Sequence, residues 1–228
     1  IAGGGQTVPT PAGVPANQAR VDYMDSIVIA PNGSIVLGAS PVFYRLDADG
    51  LVRKLPNLVT GYPYQYSTGR QMAIDPQNRL LVGMSANIEP GGGGCSEGGY
   101  ADAVAVWMFD GTTWSEVTRA LTPDHVVGCG YPLVALGADG TIYVTQGPYL
   151  YQFRPGDTAP ALIAQAENTG YQGITGLAIG PDGAVYIGAG AYIDKIAPSG
   201  LRTRVAGTGT YGYSGDNGQA TAARLREP

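Results

Sequence analysis

A chain of 228 residues can bury one sizeable core, and all-β folds of this length commonly form a single domain. Only 14% of the residues are charged, and the 36 glycines stand between apolar runs, so they punctuate turns and do not mark disorder. The net charge of −5 and the lack of a basic stripe argue against a nucleic-acid partner, and no apolar run approaches the roughly 18 residues of a helical membrane span, so membrane insertion is not expected.

The opening stretch, Ile1–Met24, matches the closing stretch, Val205–Pro228, in kind and without a gap. Gly3 falls on Gly207, Gly5 on Gly209, Ala19 on Ala223, Arg20 on Arg224 and Val21 on Leu225. The chain thus starts and stops at one phase of an internal repeat. Between these ends, a short apolar run enters a tight turn four times and leaves as a second apolar run. The turns are Pro31-Asn32-Gly33, Pro76-Gln77-Asn78, Ala138-Asp139-Gly140 and Pro181-Asp182-Gly183. Asn-Gly and Asp-Gly tolerate the positive φ that hairpin turns demand. The flanking runs, such as SIVIA and SIVLGA or GLAIG and AVYIGA, are nearly continuous β-formers, which suits strands covered on both faces.

Third strands are predicted over Val42–Leu46, Ala103–Phe109, Tyr149–Phe153 and Ala191–Ile196. Second turns follow at Asp49-Gly50, Asp110-Gly111, Pro155-Gly156 and Ser199-Gly200. The fourth runs, LVRKL, TWSEV, ALIAQ and LRTRV, are more polar, as half-exposed outer strands should be. Four antiparallel strands repeated four times are the mark of propeller blades. We expect an all-β propeller with blades at about 22–60, 61–120, 131–166 and 171–206, and with 207–228 as the lead-in to a further blade. An insertion is expected at Ser85–Asp102. Gln219–Leu225 is expected to make one short helical turn, capped by Asp216, and Ala16–Val21 is its counterpart.

The closing segment RTRVAGTGTYGYSGDNGQATAARLREP resembles the inter-blade signature of NHL-repeat propellers: an AGxG, a GDxG-type loop, then an ATxAxL turn. LAIGPDGAVYIGAGAYIDKIAPSG resembles the body of such a repeat. The resemblance spans the chain but is strong only in Ile174–Pro228. Blade 2 departs from it through its insertion, and blade 3 lacks the AGxG segment. It implies a parent of about six blades, of which this chain holds four plus a lead-in; a four-bladed ring closing on itself is the alternative. Lead-ins of this style are similar to those of Rhs and teneurin-like surface proteins, which implies a secreted or cell-surface protein with further blades or domains on the parent chain.

In an up-and-down blade, the second-to-third loop and the blade-to-blade connection open on one face. That face is expected to receive Gly61–Gly69, the insertion Ser85–Asp102 and Arg119–Tyr131, all as loops. The opposite face has only tight turns. Cys95 and Cys129 both fall on the ornamented face, and a disulfide between them would tether a glycine-rich loop and imply an oxidising compartment; two free thiols are the plain alternative. Two cysteines and one histidine are too few for a structural zinc site, so no metal and no cofactor is expected. Calcium at Asp216 has too few neighbouring oxygen ligands in sequence.

Tyrosines gather on the same face. Tyr62, Tyr100, Tyr131, Tyr149, Tyr171 and Tyr213 are the candidate binding residues, because a wide apolar ring with a polar tip suits recognition of protein or glycan. The competing reading wedges these rings between blades. A catalytic reading finds little support. His125, in Asp124-His125 of an expected outer loop, has no nucleophile in a suitable setting. The inner-strand starts offer Asp25, Gln71 and Thr175, with no convergent carboxylates. The expectation is a non-catalytic module for protein or glycan interaction or scaffolding. A propeller lyase or hydrolase is the alternative.

Overall fold

The computed structural model describes residues 4–39, 42–58, 64–87, 100–127, 131–167 and 173–228. Strand β1 (Val14–Pro15) belongs to the opening segment. Blade 1 follows with β2 (Ser26–Ile29), β3 (Ile35–Ala39), β4 (Val42–Leu46) and β5 (Leu51–Lys54). Blade 2 holds β6 (Tyr64–Ile74), β7 (Leu80–Asn87), β8 (Tyr100–Phe109) and β9 (Trp114–Val127). Blade 3 holds β10 (Val134–Leu136), β11 (Ile142–Gln146), β12 (Tyr149–Phe153) and β13 (Ala161–Gln165). Blade 4 holds β14 (Ile174–Ile179), β15 (Val185–Ala189), β16 (Tyr192–Ile196) and β17 (Arg202–Ala206).

Each blade is an antiparallel meander in sequence order, and β1 adds to the outer edge of blade 1 through Val14↔Val52 and Pro15↔Leu51. The turns explain why the meander forms. The third turn residue has positive φ in every blade: 83° at Gly33, 62° at Asn78, 83° at Gly140 and 74° at Gly183. Asn78 is the one non-glycine there, and asparagine tolerates that region better than most residues. The turn's polar side chain also holds the chain that leaves it. Asn32 Oδ1 accepts from Ser34 N–H at 3.0 Å, Asp139 Oδ1 from Thr141 N–H at 3.0 Å and Asp182 Oδ1 from Ala184 N–H at 3.2 Å.

The core lies in the seams between blades. Val36 and Phe43 of blade 1 meet Met72, Val82 and Trp107 of blade 2. Val104, Val106 and Ala120 of blade 2 meet Val134, Val144 and Tyr151 of blade 3. Tyr143 and Leu150 of blade 3 meet Leu177, Ile187 and Tyr192 of blade 4. Burying one such side chain contributes about 1.5–3 kcal/mol. Both faces of these sheets are covered, which is why the strands read as continuous apolar runs and not as alternation.

The arc does not close on itself. Inner strands contact in order, β2 with β6, β6 with β10 and β10 with β14. Ile27 and Ile29 of β2 are 68% and 69% exposed, so among the described residues no blade covers the leading inner strand. This overturns the alternative of a closed four-bladed ring. Part of the leading face is covered from another source: Val14 and Ala19 of the opening segment pack on Leu37, Tyr44 and Val52.

Several expected loops are strands. Most of Gly61–Gly69 lies in β6, and Arg119–Val127 lies in β9. Ser85–Asn87 continues β7 and Tyr100–Asp102 begins β8, while the middle of the expected insertion lies outside the described residues. The reason is that paired strands satisfy their own backbone groups, so a polar, glycine-containing stretch can extend a sheet without an apolar signal. The short helical turn is a 3-10 turn at Ala220–Ala222; no side chain caps it, and Asp216 is exposed. Its counterpart at Ala16–Val21 is a turn leading to a bridge at Ala19, not a helix. No helix among the described residues is long and apolar enough to cross a membrane.

Candidate interaction face

Blade 2 carries the feature that distinguishes one face. Its strands are 11, 8, 10 and 14 residues long, against 3–6 in blades 3 and 4. All four strands extend at the same end. The level of the neighbouring blade is marked by two hydrogen bonds across the seam. Ser85 Oγ donates to Gln146 Oε1 at 2.8 Å, and Tyr151 Oη donates to Leu121 O at 3.3 Å. Beyond Leu121, β9 runs on to Val127 while its partner β8 advances only from Ala103 to Tyr100, so the paired extension is about 10 Å and the extra residues of β9 bulge. The pairing follows it outward: Ala103↔Leu121, Ala101↔Val126 and Tyr100↔Val127 on one side of β8, and Gln65↔Ala86 and Tyr64↔Asn87 between β6 and β7. Bulges between Ala101 and Ala103 and between Gln65 and Ser67 bend these strands as they leave the disc. The result is a four-stranded tongue that rises from the face bearing the blade-to-blade connections.

The candidate tyrosines divide between two roles. Tyr100 is the first residue of β8, at the tongue's end. Tyr131 is 40% exposed in the connection that enters blade 3, and Tyr213 is 81% exposed in the closing segment. These two remain available to solvent, but they stand on different parts of the arc. Tyr149 does not lie in a loop on the surface: it opens β12, is 8% exposed and packs in the seam between blades 2 and 3, its ring 6.4 Å from that of Tyr151. For Tyr149 the wedge reading is the one realised. Tyr62, Tyr171, Cys95 and Cys129 lie outside the described residues, and the proposed disulfide with them.

The buried tyrosines of the third and second strands carried no distinguishing mark in the sequence. Tyr192 Oη joins blade 4 to Glu167 at the exit of blade 3, and the Arg204 guanidinium lies 3.9 Å from the Tyr192 ring centroid. Burial pushes the Tyr151 phenol up to about 12 and raises those of Tyr44 and Tyr143. Asp194, 2% exposed, is held by Arg202 at 2.7 Å and Arg204 at 3.1 Å. Their position on a polar outer strand was visible; their convergence on one carboxylate was not.

Around the inner strands, Gln71 and Thr175 are engaged with backbone, and Asp25 with a neighbouring side chain. Gln71 Nε2 reaches from blade 2 to Leu177 O of blade 4 at 2.9 Å. Thr175 Oγ1 donates to Pro228 O at 2.9 Å and lies 3.3 Å from Gly188 O. Asp25 Oδ1 accepts from Ser26 Oγ at 3.4 Å. His125 lies within β9 and not in an outer loop. Among the described residues no group of three His, Cys, Asp or Glu side chains is placed to hold a metal ion. The inner-strand side chains named here brace the blades through these hydrogen bonds.

Solved structures supply the decisive likeness. A gluconolactonase from Xanthomonas campestris superposes with a TM-score of 0.57 at 15% identity, over 82% of this chain and 62% of its own length. An auxiliary nutrient binding protein from Bacteroides ovatus gives 0.57 at 14% identity, over 90% of this chain and 48% of its own. A streptogramin B lyase gives 0.51 at 15% identity, over 78% and 52%. The chain is a partial β-propeller. It spans between about half and just under two thirds of the length of these neighbours. At such identities the likeness concerns the fold alone. No protein-family model matches the sequence, and no curated protein does.

Proposed function

We propose that this propeller segment is a non-catalytic interaction module of a larger extracellular protein, and that it holds a protein or glycan partner on the tongue-bearing face. One observation carries the reading: among the described residues only blade 2 lengthens its strands, and it does so on the face that also receives the blade-to-blade connections. A rigid arc of blades presenting an extended sheet, with Tyr131 exposed in the connection that leaves that blade, is suited to capture a partner without chemistry. The NHL-type closing motif and its Rhs- and teneurin-like style support placement at the cell surface, with further blades or domains on the parent chain. A Cys95–Cys129 disulfide belongs to the same reading.

The second reading is a propeller lyase or hydrolase. It is favoured by the streptogramin B lyase and the gluconolactonase among the structural neighbours. The two readings separate in one experiment. The fluorescently labelled chain is applied to glycan and extracellular-protein arrays, beside a Tyr131→Ala/Tyr213→Ala variant, and both are screened for lactone hydrolysis and for ring-opening elimination. Binding to a defined subset of features, lost in the folded double variant without turnover, supports the interaction module. Turnover that disappears in His125→Ala overturns it in favour of the enzyme.

A further inference from the structure

Six dipeptides place an asparagine or aspartate directly before a glycine: Asn32-Gly33, Asp49-Gly50, Asp110-Gly111, Asp139-Gly140, Asp182-Gly183 and Asn217-Gly218. A glycine has no side chain to shield its nitrogen, so that nitrogen can attack the side-chain carbonyl carbon of the residue before it. Five of the six are tied down in one way. Each sits in a hairpin turn of a blade, and its side-chain oxygen accepts the N–H two residues on. Asn32 takes Ser34 N–H at 3.0 Å, Asp49 takes Leu51 at 3.1 Å, Asp110 takes Thr112 at 2.8 Å, Asp139 takes Thr141 at 3.0 Å and Asp182 takes Ala184 at 3.2 Å. Asn32 is held further. Ser34 Oγ donates to the same oxygen at 2.8 Å, and the Asn32 N–H donates to Asn78 Oδ1 of blade 2 at 3.0 Å.

Asn217 is the exception. It stands outside every blade, in the closing segment, at a φ of 64°. Both it and Gly218 are exposed, and among the described residues no hydrogen bond holds its side chain. A single bond closes the turn, from Gly218 N–H to Gly215 O at 3.0 Å. Attack requires that bond to open and Asn217 to leave the left-handed region. An exposed turn outside any sheet opens at little cost, whereas the Asn32 turn opens only when the Ile29↔Ile35 end of blade 1 frays. The turn itself has no use for the amide. The counterpart of Asn217 in the opening segment is Gly13, which takes a φ of 99° with no side chain at all.

We propose that Asn217 is a site of self-modification, at which the folded chain converts asparagine to aspartate and isoaspartate through a cyclic imide. Gly218 N loses its proton to solvent base and bonds to Asn217 Cγ. The Cγ–Nδ2 bond breaks, and Nδ2 leaves as ammonia. Water then opens the imide. Addition at Cγ releases Gly218 N from the side chain and leaves an ordinary aspartate. Addition at the backbone carbonyl carbon leaves isoaspartate, with the main chain running through Cγ. One water is consumed and one ammonia released, with no oxidation or reduction and no enzyme. The product adds a negative charge beside Asp216, and isoaspartate lengthens the backbone within the turn. The site is independent of the tongue and of the partner proposed for it.

The test holds the whole chain in mildly alkaline buffer made with H₂¹⁸O and digests samples with trypsin at slightly acid pH. Peptides Val21–Arg45 and Val205–Arg224 report Asn32 and Asn217 separately. The second peptide is expected to gain an ¹⁸O-labelled carboxyl at least about tenfold faster than the first. Methyl transfer by an isoaspartyl methyltransferase should identify isoaspartate in it. In guanidinium chloride the two rates are expected to converge, because the unfolded chain ties neither residue. Gly218→Ala should slow Asn217 severalfold by shielding the attacking nitrogen. Equal rates at Asn32 and Asn217 in the folded chain, a gap that persists in guanidinium chloride, an Asn217 rate unchanged by Gly218→Ala, or Asn217 left unlabelled when folded but labelled when unfolded would each overturn the proposal.

Discussion

The hydroxyl of Tyr192 closes two hydrogen bonds with a single residue of the preceding blade, donating to Glu167 O at 2.9 Å and accepting from Glu167 N–H at 2.7 Å. Tyr192 is 2% exposed, while Glu167 is exposed, so the pair is buried on the tyrosine side only. Tyr192→Phe keeps the ring and removes both hydrogen bonds. It should destabilise the fold by about 0.5–1.5 kcal/mol, read as a lower midpoint in urea with an unchanged slope. A loss indistinguishable from zero would mean that the seam between blades 3 and 4 is open to water.

The AGxG motif has a steric origin at Gly207. Its φ is +86°, and a Cβ built there would stand 2.2 Å from Ala191 O. Its N–H donates to Ala220 O at 2.9 Å, and the next residue, Thr208, donates to Ala223 O at 2.9 Å. The closing segment is thereby folded back along the exit from blade 4. Gly207→Ala must move backbone and hold an alanine at positive φ, at a cost of about 2 kcal/mol or more. Thermal unfolding should show the loss; Thr210→Ala, three residues on and exposed, serves as the neutral comparison.

Acid should loosen the turns before neutral pH matters at all. The Arg53 guanidinium hydrogen-bonded to Asp49 holds its carboxyl down to about 2 from an ordinary 3.8. Asp110 is lowered by the backbone N–H groups of Thr113 and Thr112, Asp139 by Thr141, and Asp182 by Lys195. A carboxyl depressed in the folded state contributes stability that is complete above its unfolded pKa and is lost as pH falls through the folded one. The urea midpoint should therefore be flat in this respect above about pH 4 and decline toward pH 2. At the alkaline end the sign reverses. Burial pushes Tyr151 up to about 12 from 10, so its contribution holds below pH 10 and is lost as pH rises toward 12. Carboxyl ¹³C shifts that titrate Asp49 near 4 would contradict the Arg53 contact.

The leading edge offers a test of the open arc. Ile27 and Ile29 are 68% and 69% exposed on β2. Ile27→Lys and Ile29→Lys should each change stability by no more than about 0.5 kcal/mol, as at other exposed positions, and improve solubility. In a closed ring both would lie in a seam, and each substitution would cost several times more. Urea unfolding of the two variants distinguishes the cases.

Much of this architecture could be read from residue patterns because the blade is built from local devices. A turn with Gly or Asn in the left-handed region, flanked by apolar β-formers, fixes a hairpin within a dozen residues, and Gly33, Gly140 and Gly183 mark it plainly. The tongue was not legible. Residues Tyr64–Arg70 and Leu121–Val127 lack the apolar alternation that identifies a strand, since their pairing with β7 and β8 is set by neighbours distant in sequence. The tyrosines show a similar limit. Tyr149 and Tyr213 both follow closely on a glycine, yet one packs in a seam and the other faces solvent, because the register of β12 on β11 turns Tyr149 inward while Tyr213 belongs to no strand.

Amide hydrogen exchange over Arg119–Val127 and Tyr100–Ala103 tests most directly whether the recognition face is a built sheet. Paired as Tyr100↔Val127, Ala101↔Val126 and Ala103↔Leu121, these strands should exchange markedly more slowly than the exposed closing segment Tyr211–Gly218, with protection falling toward Val127. Exchange of Leu121–Val127 as fast as that of Tyr211–Gly218 would contradict the tongue, and with it the interaction face on which the proposed function rests.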